Sequence, residues 1–247
     1  MVIREINAKS ILSASKIYTY VINPYVGCQF GCKYCYARYM KKFTGHFEPW
    51  GEFVDIKVNA EELLQKEIKK KKKDRVWISG VCDPYQPLEA KYKLTRKCLK
   101  ILANNNWPVV IQTRSKLVLR DIDIIKEIKN CDAGMSITTA DDEIRKLFEP
   151  RATPISDRVN TLKTLHDSGI RTYAMIAPIL PGAENLIEML DGKVDYIYVD
   201  RMNYDYANMI YRKNKLENFL ADGYFDAVSQ DIADKAQKKG IECHIVF

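Results

Sequence analysis

The chain has 247 residues, 47% of them apolar and 29% charged, with 39 basic against 32 acidic side chains. That length buries a sizeable core in one large α/β domain or two small ones, and the composition is ordinary for a globular protein. No apolar run approaches the ~20 residues that cross a bilayer, so no membrane partner is expected, and the net charge of +7 admits an anionic partner without demanding one.

No repeat, low-complexity linker or Pro/Gly/Ser-rich break divides the sequence, which predicts a single domain over 1–247. Residues 17–22, Ile-Tyr-Thr-Tyr-Val-Ile, have the β-branched and aromatic composition of a strand. That strand delivers a loop at 23–36, and a helix is expected over 35–42. Phe53–Val58 reads as a small extra strand, followed by a helix over Glu61–Lys70. The cations Lys69–Lys73 lie at the end of that helix, where the macrodipole stabilises them, so they read as a solvated helix terminus.

Short strands then alternate with helices: 76–78 and a helix near 94–102, 109–111 and a helix near 121–128. In the latter, Ile124, Ile125 and Ile128 share one face, as an amphipathic helix requires. A strand at 134–137 precedes helices around 141–148 and 157–168, and Gly169 is placed to end the second. Strands at 173–177, 196–199 and 244–246 complete the order. The alternation predicts a parallel sheet covered by helices. Six or seven βα steps fit a partial (β/α)6 barrel of parallel strands with helices outside, with a flat doubly wound sheet as the alternative. In either fold, ligands belong at the C-terminal strand ends.

Seven cysteines, three of them crowded together, do not form a paired extracellular framework, and no long apolar stretch follows the opening Met-Val-Ile-Arg-Glu-Ile. The expected setting is a reducing cytoplasm. The crowded set is Gly27-Cys28-Gln29-Phe30-Gly31-Cys32-Lys33-Tyr34-Cys35-Tyr36, with spacing C-x3-C-x2-C. Three thiolates from one loop suit three corners of an iron–sulfur cube, leaving one iron open, because the next cysteine is Cys82. Zinc is the alternative, with His46 as a fourth ligand, although ten residues separate His46 from Cys35.

The motif, with an aromatic just before its last cysteine, resembles the radical S-adenosylmethionine (SAM) superfamily. The resemblance implies a partial barrel, a [4Fe–4S] cluster on Cys28, Cys32 and Cys35, and SAM bound at the open iron. It also implies an external electron donor such as a ferredoxin or flavodoxin. Gly-Cys-Lys-Tyr-Cys-Tyr at 31–36, Asp-Pro-Tyr-Gln-Pro-Leu-Glu at 83–89, Phe-Glu-Pro-Arg-Ala at 148–152 and Ala-Pro-Ile-Leu-Pro-Gly at 177–182 resemble proteins related to spore photoproduct lyase. That narrower resemblance implies a hydrogen-atom relay. Two tyrosines flanking the last cluster cysteine map onto Tyr34 and Tyr36, and Cys82 lies in the comparable loop but not at the lyase's offset.

Polar residues cluster after each strand, and the resemblance gives several of them roles. Tyr34 is expected against the SAM adenine, and Ser79 with Gly80 against its amine. Here Ser-Gly-Val replaces the family's usual Gly-Gly-Glu. Ser136 and Thr138 are expected at the SAM ribose or carboxylate, while Arg151 either pairs with that carboxylate or bridges Glu149. Cys98, Cys131, Cys243 and His166 read as packing. The favoured reading is a radical SAM enzyme abstracting hydrogen, with a nucleic-acid or nucleotide substrate. Radical modification of a peptide or small metabolite is the second reading, and a zinc-stabilised nucleic-acid-binding module without catalysis the third.

Overall fold

A computed structural model describes residues 1–247, and the chain divides into two compact units. The first comprises Met1–Gly31 and Ala37–Ala133, the second Cys32–Tyr36 and Gly134–Phe247.

The first unit holds strands β1 (Val2–Ile6), β2 (Leu12–Ala14), β3 (Tyr20–Ile22), β4 (Tyr25–Val26), β5 (Phe53–Lys57), β6 (Val76–Ile78) and β7 (Val109–Thr113). Its helices are α1 (Ala60–Glu67), α2 (Glu89–Tyr92), α3 (Leu94–Asn104) and α4 (Ile122–Glu127). β6 runs parallel to both β3 and β7, placing Tyr20 beside Val76 and Val76 beside Val109, and β2 adds an antiparallel edge to β3. Strands this apolar need cover on both faces, and Val76, Ile78, Val109 and Ile111 are fully buried. The extra strand expected near 53–58 forms as β5, the centre of a second sheet ordered β1-β5-β4.

Two details depart from the sequence expectation. The helix over 61–70 stops at Glu67, because the lysine run that follows folds onto the edge of the sheet. Lys71 donates to the Leu12 carbonyl and lies over the Tyr20 ring, while the Tyr20 hydroxyl donates to the Lys72 carbonyl. The helix expected at 35–42 is a 3-10 helix, Tyr36–Phe43.

The second unit carries β8 (Cys131–Ser136, entering from the first), β9 (Arg171–Ile176), β10 (Tyr196–Val199) and β11 (Glu242–Ile245), ordered β11-β10-β9-β8. β10 is parallel to β9 and β11. Its helices are α5 (Asp142–Phe148), α6 (Ile155–Asp167), α7 (Leu186–Leu190), α8 (Asn208–Lys213) and α9 (Asp222–Lys238). Gly134 has no side chain for a steric reason: a Cβ there would lie 2.4 Å from the Tyr173 ring. Both units therefore show the expected pattern of parallel strands with helices packed on them. No helix is long and apolar enough to cross a membrane.

Candidate active site

The three crowded cysteines sit on the loop that follows β3 and β4. Gly27 takes φ +86°, and a Cβ there would fall 2.3 Å from the Phe53 carbonyl oxygen, so only glycine passes this point. The Gly31 N–H donates to the Cys28 carbonyl at 3.3 Å, and the Cys35 N–H to the Cys32 carbonyl at 3.2 Å. These successive turns fold the loop tightly. Cys28 and Cys32 are buried, Cys35 is half-buried, and all seven cysteines carry thiols rather than disulfides.

The start of the loop is held by the Asp-Pro-Tyr-Gln-Pro-Leu-Glu segment after β6. Fully buried Gln86 accepts the Gln29 N–H at 2.9 Å and donates to the Gly27 carbonyl at 3.3 Å. The Gln29 side chain in turn accepts the Leu88 N–H at 2.6 Å. Asp83 ties the same segment to β7, accepting from the Thr113 hydroxyl (2.6 Å) and from the N–H groups of Arg114 (2.8 Å) and Tyr85 (2.9 Å). Burial raises its carboxyl above the usual range, and those three bonds pull it back. Glu89 accepts the Tyr25 phenol at 2.5 Å and the Arg120 guanidinium at 2.7 Å. Burial and the Glu89 carboxylate push the Tyr25 phenol far up, so it stays the donor.

The end of the loop is held within the second unit. The Lys33 N–H donates to the Phe148 carbonyl at 2.8 Å, and the Tyr34 hydroxyl donates to Glu149. Glu149 also accepts from the Thr138 hydroxyl at 3.0 Å and from Arg158 at 2.5 Å. Arg158 is fully buried, and its remaining donors reach the Ser136 carbonyl (2.9 Å) and the Thr153 carbonyl (2.7 Å). A buried charge pair is retained only when its other hydrogen-bonding positions are filled, and these are. Gln86, Glu149 and Arg158 are thus structural holders; sequence reasoning gave the first and last no role and named Glu149 only as an alternative partner of Arg151. The first two lie inside the quoted motifs, whereas Arg158 reads as an ordinary helix cation.

Of the remaining predicted residues, Ser136 and Thr138 are both fully buried and both meet the Glu149–Arg158 group. Arg151 is exposed, and Glu149 is paired with Arg158. Tyr36 is 41% exposed and opens the 3-10 helix. Ser79 takes φ +67°, and its hydroxyl lies 3.3 Å from the Cys82 sulfur. A Cβ on Gly80 would approach the Trp77 ring at 3.0 Å, so that face of the glycine is packed. The Cys82 side chain packs on Tyr25, Val54, Ile56 and Leu94, and burial pushes its thiol up to about 12. Its S–H therefore persists at neutral pH.

His46 does not serve the cysteine loop. Its two ring nitrogens face Glu48 at 3.0 Å and Asp55 at 2.9 Å, and its ring stacks on Phe53. The zinc alternative loses its fourth ligand. Three soft thiol donors on one glycine-shaped loop, with no fourth in reach along it, fit a cube that keeps one iron for a small-molecule ligand.

Residues 22–191 match the Radical SAM superfamily, and the chain belongs to it. It is therefore an enzyme of the radical SAM class, with the family's [4Fe–4S] cluster, SAM and requirement for an external reductant. It is 39% identical over 179 residues to an uncharacterised protein of Methanocaldococcus jannaschii, covering 72% of this chain and 67% of that one. It is 26% identical over 161 residues to a radical SAM Nalpha-GlyT isomerase of Pseudomonas phage M6, covering 64% of this chain and 33% of the phage protein. Among solved structures, spore photoproduct lyase complexed with dinucleoside spore photoproduct superposes with a TM-score of 0.71 at 13% identity. The match covers 98% of this chain and 81% of the lyase. The fold is accordingly the partial barrel expected from the strand–helix alternation.

Proposed function

We propose that Cys28, Cys32 and Cys35 hold the cluster and that the enzyme abstracts hydrogen from a nucleic-acid or nucleotide substrate. The observation that carries the first part is the loop itself: three thiols within eight residues, its start fixed by Gln86 and its end by Phe148 and Glu149. When bound, the cluster and SAM supply a 5′-deoxyadenosyl radical for hydrogen abstraction. The chain's own residues fix the loop, shield it and position the ligand. Buried Ser136 and Thr138, with Ser79, Gly80 and Arg151, are assigned to the SAM site. The nucleic-acid reading is supported by the similar lyase structure, which is complexed with a dinucleoside photoproduct.

Cys82 and the tyrosines are assigned to hydrogen return. The Cys82 S–H gives a hydrogen atom to a substrate carbon radical, a tyrosine O–H restores the resulting thiyl, and the tyrosyl radical so formed takes one electron from the external reductant and a proton. Tyr36, whose side chain is exposed, suits that relay better than Tyr34, whose hydroxyl is committed to Glu149. A ferredoxin or flavodoxin is the proposed reductant.

Anaerobic protein given dithionite and SAM is expected to release 5′-deoxyadenosine and to carry about four irons. Replacing Cys28, Cys32 and Cys35 together by alanine abolishes both. Retention of the iron by the triple variant overturns the ligand assignment. Hydrogen transfer from a peptide in preference to any nucleotide overturns the substrate assignment.

A further inference from the structure

The net charge of this protein is concentrated in one stretch. From Ile6 to Phe47 there is no aspartate or glutamate, while Lys9, Lys16, Lys33, Arg38, Lys41 and Lys42 contribute six positive charges. Outside it the chain carries 33 basic and 32 acidic residues, close to neutrality. The end of that stretch is also where the two most exposed aromatic rings lie, Phe47 at 93% and Phe43 at 75%, with Tyr39 at 43% beside them in sequence. The two phenylalanine rings add little to packing, and exposed apolar patches mark contact sites.

The segment that presents them is anchored at both ends. Ala37 is buried at its start, and His46 is buried near its end, fixed by Glu48, Asp55 and the Phe53 ring. Between the anchors, Lys41 donates to the Phe47 carbonyl at 2.8 Å and the Thr44 hydroxyl donates to the Lys41 carbonyl at 2.9 Å. Glu48, the first carboxylate after the cationic stretch, is engaged by His46 and does not neutralise Lys41 or Lys42. The rings are thus held out by an ordered backbone, with cations interleaved among them.

We propose that residues 38–47 form a binding platform for single-stranded nucleic acid, on which bases stack against Tyr39, Phe43 and Phe47 while Arg38, Lys41 and Lys42 meet phosphates. Aromatic faces accept any base, and neighbouring cations track the backbone, which is the recurring chemistry of single-strand binding. A duplex hides its base faces and must be unstacked, at a cost of a few kcal/mol per step, before phenylalanines reach them. The 3-10 helix that opens the segment starts one residue after Cys35, so the platform follows the cluster loop directly along the chain. The inference rests on the nucleic-acid reading above and gives that substrate a form, single-stranded, and a place on the chain.

The test is fluorescence anisotropy of the anaerobically reconstituted protein with a labelled oligothymidylate of about 12 nucleotides, a length within single-strand site sizes. Three neutralised phosphates predict a slope of about −2 for log affinity against log salt. Phe43→Ser with Phe47→Ser is expected to weaken binding at least tenfold while keeping that slope. Lys41→Glu with Lys42→Glu is expected to weaken binding and flatten the slope. Uncoupled release of 5′-deoxyadenosine and the iron content stay unchanged in both pairs, which separates lost binding from lost folding. Unaltered binding in the phenylalanine pair overturns the platform while leaving the nucleic-acid reading in place. Absent oligonucleotide binding at low salt, with SAM still cleaved, overturns the inference and spares the radical SAM assignment. Binding of phosphatidylserine vesicles that depends on Phe43 and Phe47, with oligonucleotide binding indifferent to them, makes the patch a membrane surface and overturns it as well.

Discussion

Ser79 shows what a single departure from a family pattern costs. Its φ of +67° lies in the left-handed region, where a side chain costs about 1–2 kcal/mol and glycine costs nothing. In the family resemblance a glycine stands here, and the geometry explains why. The serine is partly compensated by the contact of its hydroxyl with the Cys82 sulfur and by its N–H bond to the Ile22 carbonyl at 2.8 Å. Replacing Ser79 by alanine or by glycine removes the same hydroxyl, yet only glycine relieves the backbone. Ser79→Gly is therefore expected to be more stable than Ser79→Ala by about 1 kcal/mol in urea unfolding. Equal stabilities of the two variants refute the left-handed backbone. The substitution itself was legible in the sequence, as were the three loop cysteines, because spacing along one loop is a local property. The Glu149–Arg158 pair was not, since the intervening residues 150–157 carry no sign that both charges are buried.

At the scale of elements, the segment Asp83–Glu89 acts as a clamp with three polar hooks. Asp83 grips the end of β7, Gln86 the cluster loop, and Glu89 the start of α3 through the Thr95 N–H at 3.0 Å. Sequence reading located this segment at a strand end and quoted it as a motif, but gave Asp83, Gln86 and Glu89 no role of their own; their buried side chains bind neighbouring backbone. Gln86→Leu leaves the Gln29 N–H and the Gly27 carbonyl without their partner, a loss of about 1–3 kcal/mol. The expected result is a lower melting temperature and less iron per chain after reconstitution, with Gln86→Glu milder because it still accepts from Gln29. Full iron loading and an unchanged melt in Gln86→Leu remove the clamp from the loop. Among elements, α9 escaped the sequence reading altogether. Its inward residues Phe225, Val228, Ile232 and Ala236 recur at spacings of three, four and four, the period of one helix face, so the signal was present in the sequence and was passed over. The short strands β1, β2 and β4 escaped because their pairing partners define them.

For the whole molecule, the cysteine inventory sets how the fold responds to alkali. The sequence already separated a crowded trio from four scattered cysteines, and the structure keeps all of them as thiols. Cys98 is fully buried in α3 and Cys131 is buried in β8, and desolvation pushes both thiols well up, as it does Cys82 to about 12. A buried thiol stays protonated in the folded chain, whereas the unfolded chain releases that proton near the ordinary value of about 8.5. The folded state then binds more protons, so these groups leave stability untouched below pH 8 and erode it as pH rises. Each fully protected thiol contributes a loss of about 1.4 kcal/mol per pH unit above its unfolded value. The buried phenols of Tyr25, Tyr85 and Tyr211 are raised in the same direction and steepen the fall above pH 10. Urea unfolding of the apoprotein between pH 7.5 and 10.5 is therefore expected to show a plateau followed by a steep decline. Cys98→Ala lowers the plateau through lost packing, but its decline is shallower by about 1.4 kcal/mol per pH unit, because one proton no longer differs between the two states. A parallel decline in wild type and Cys98→Ala assigns the alkaline loss to other groups, and a flat profile to pH 10.5 shows that the thiols ionise in the folded chain.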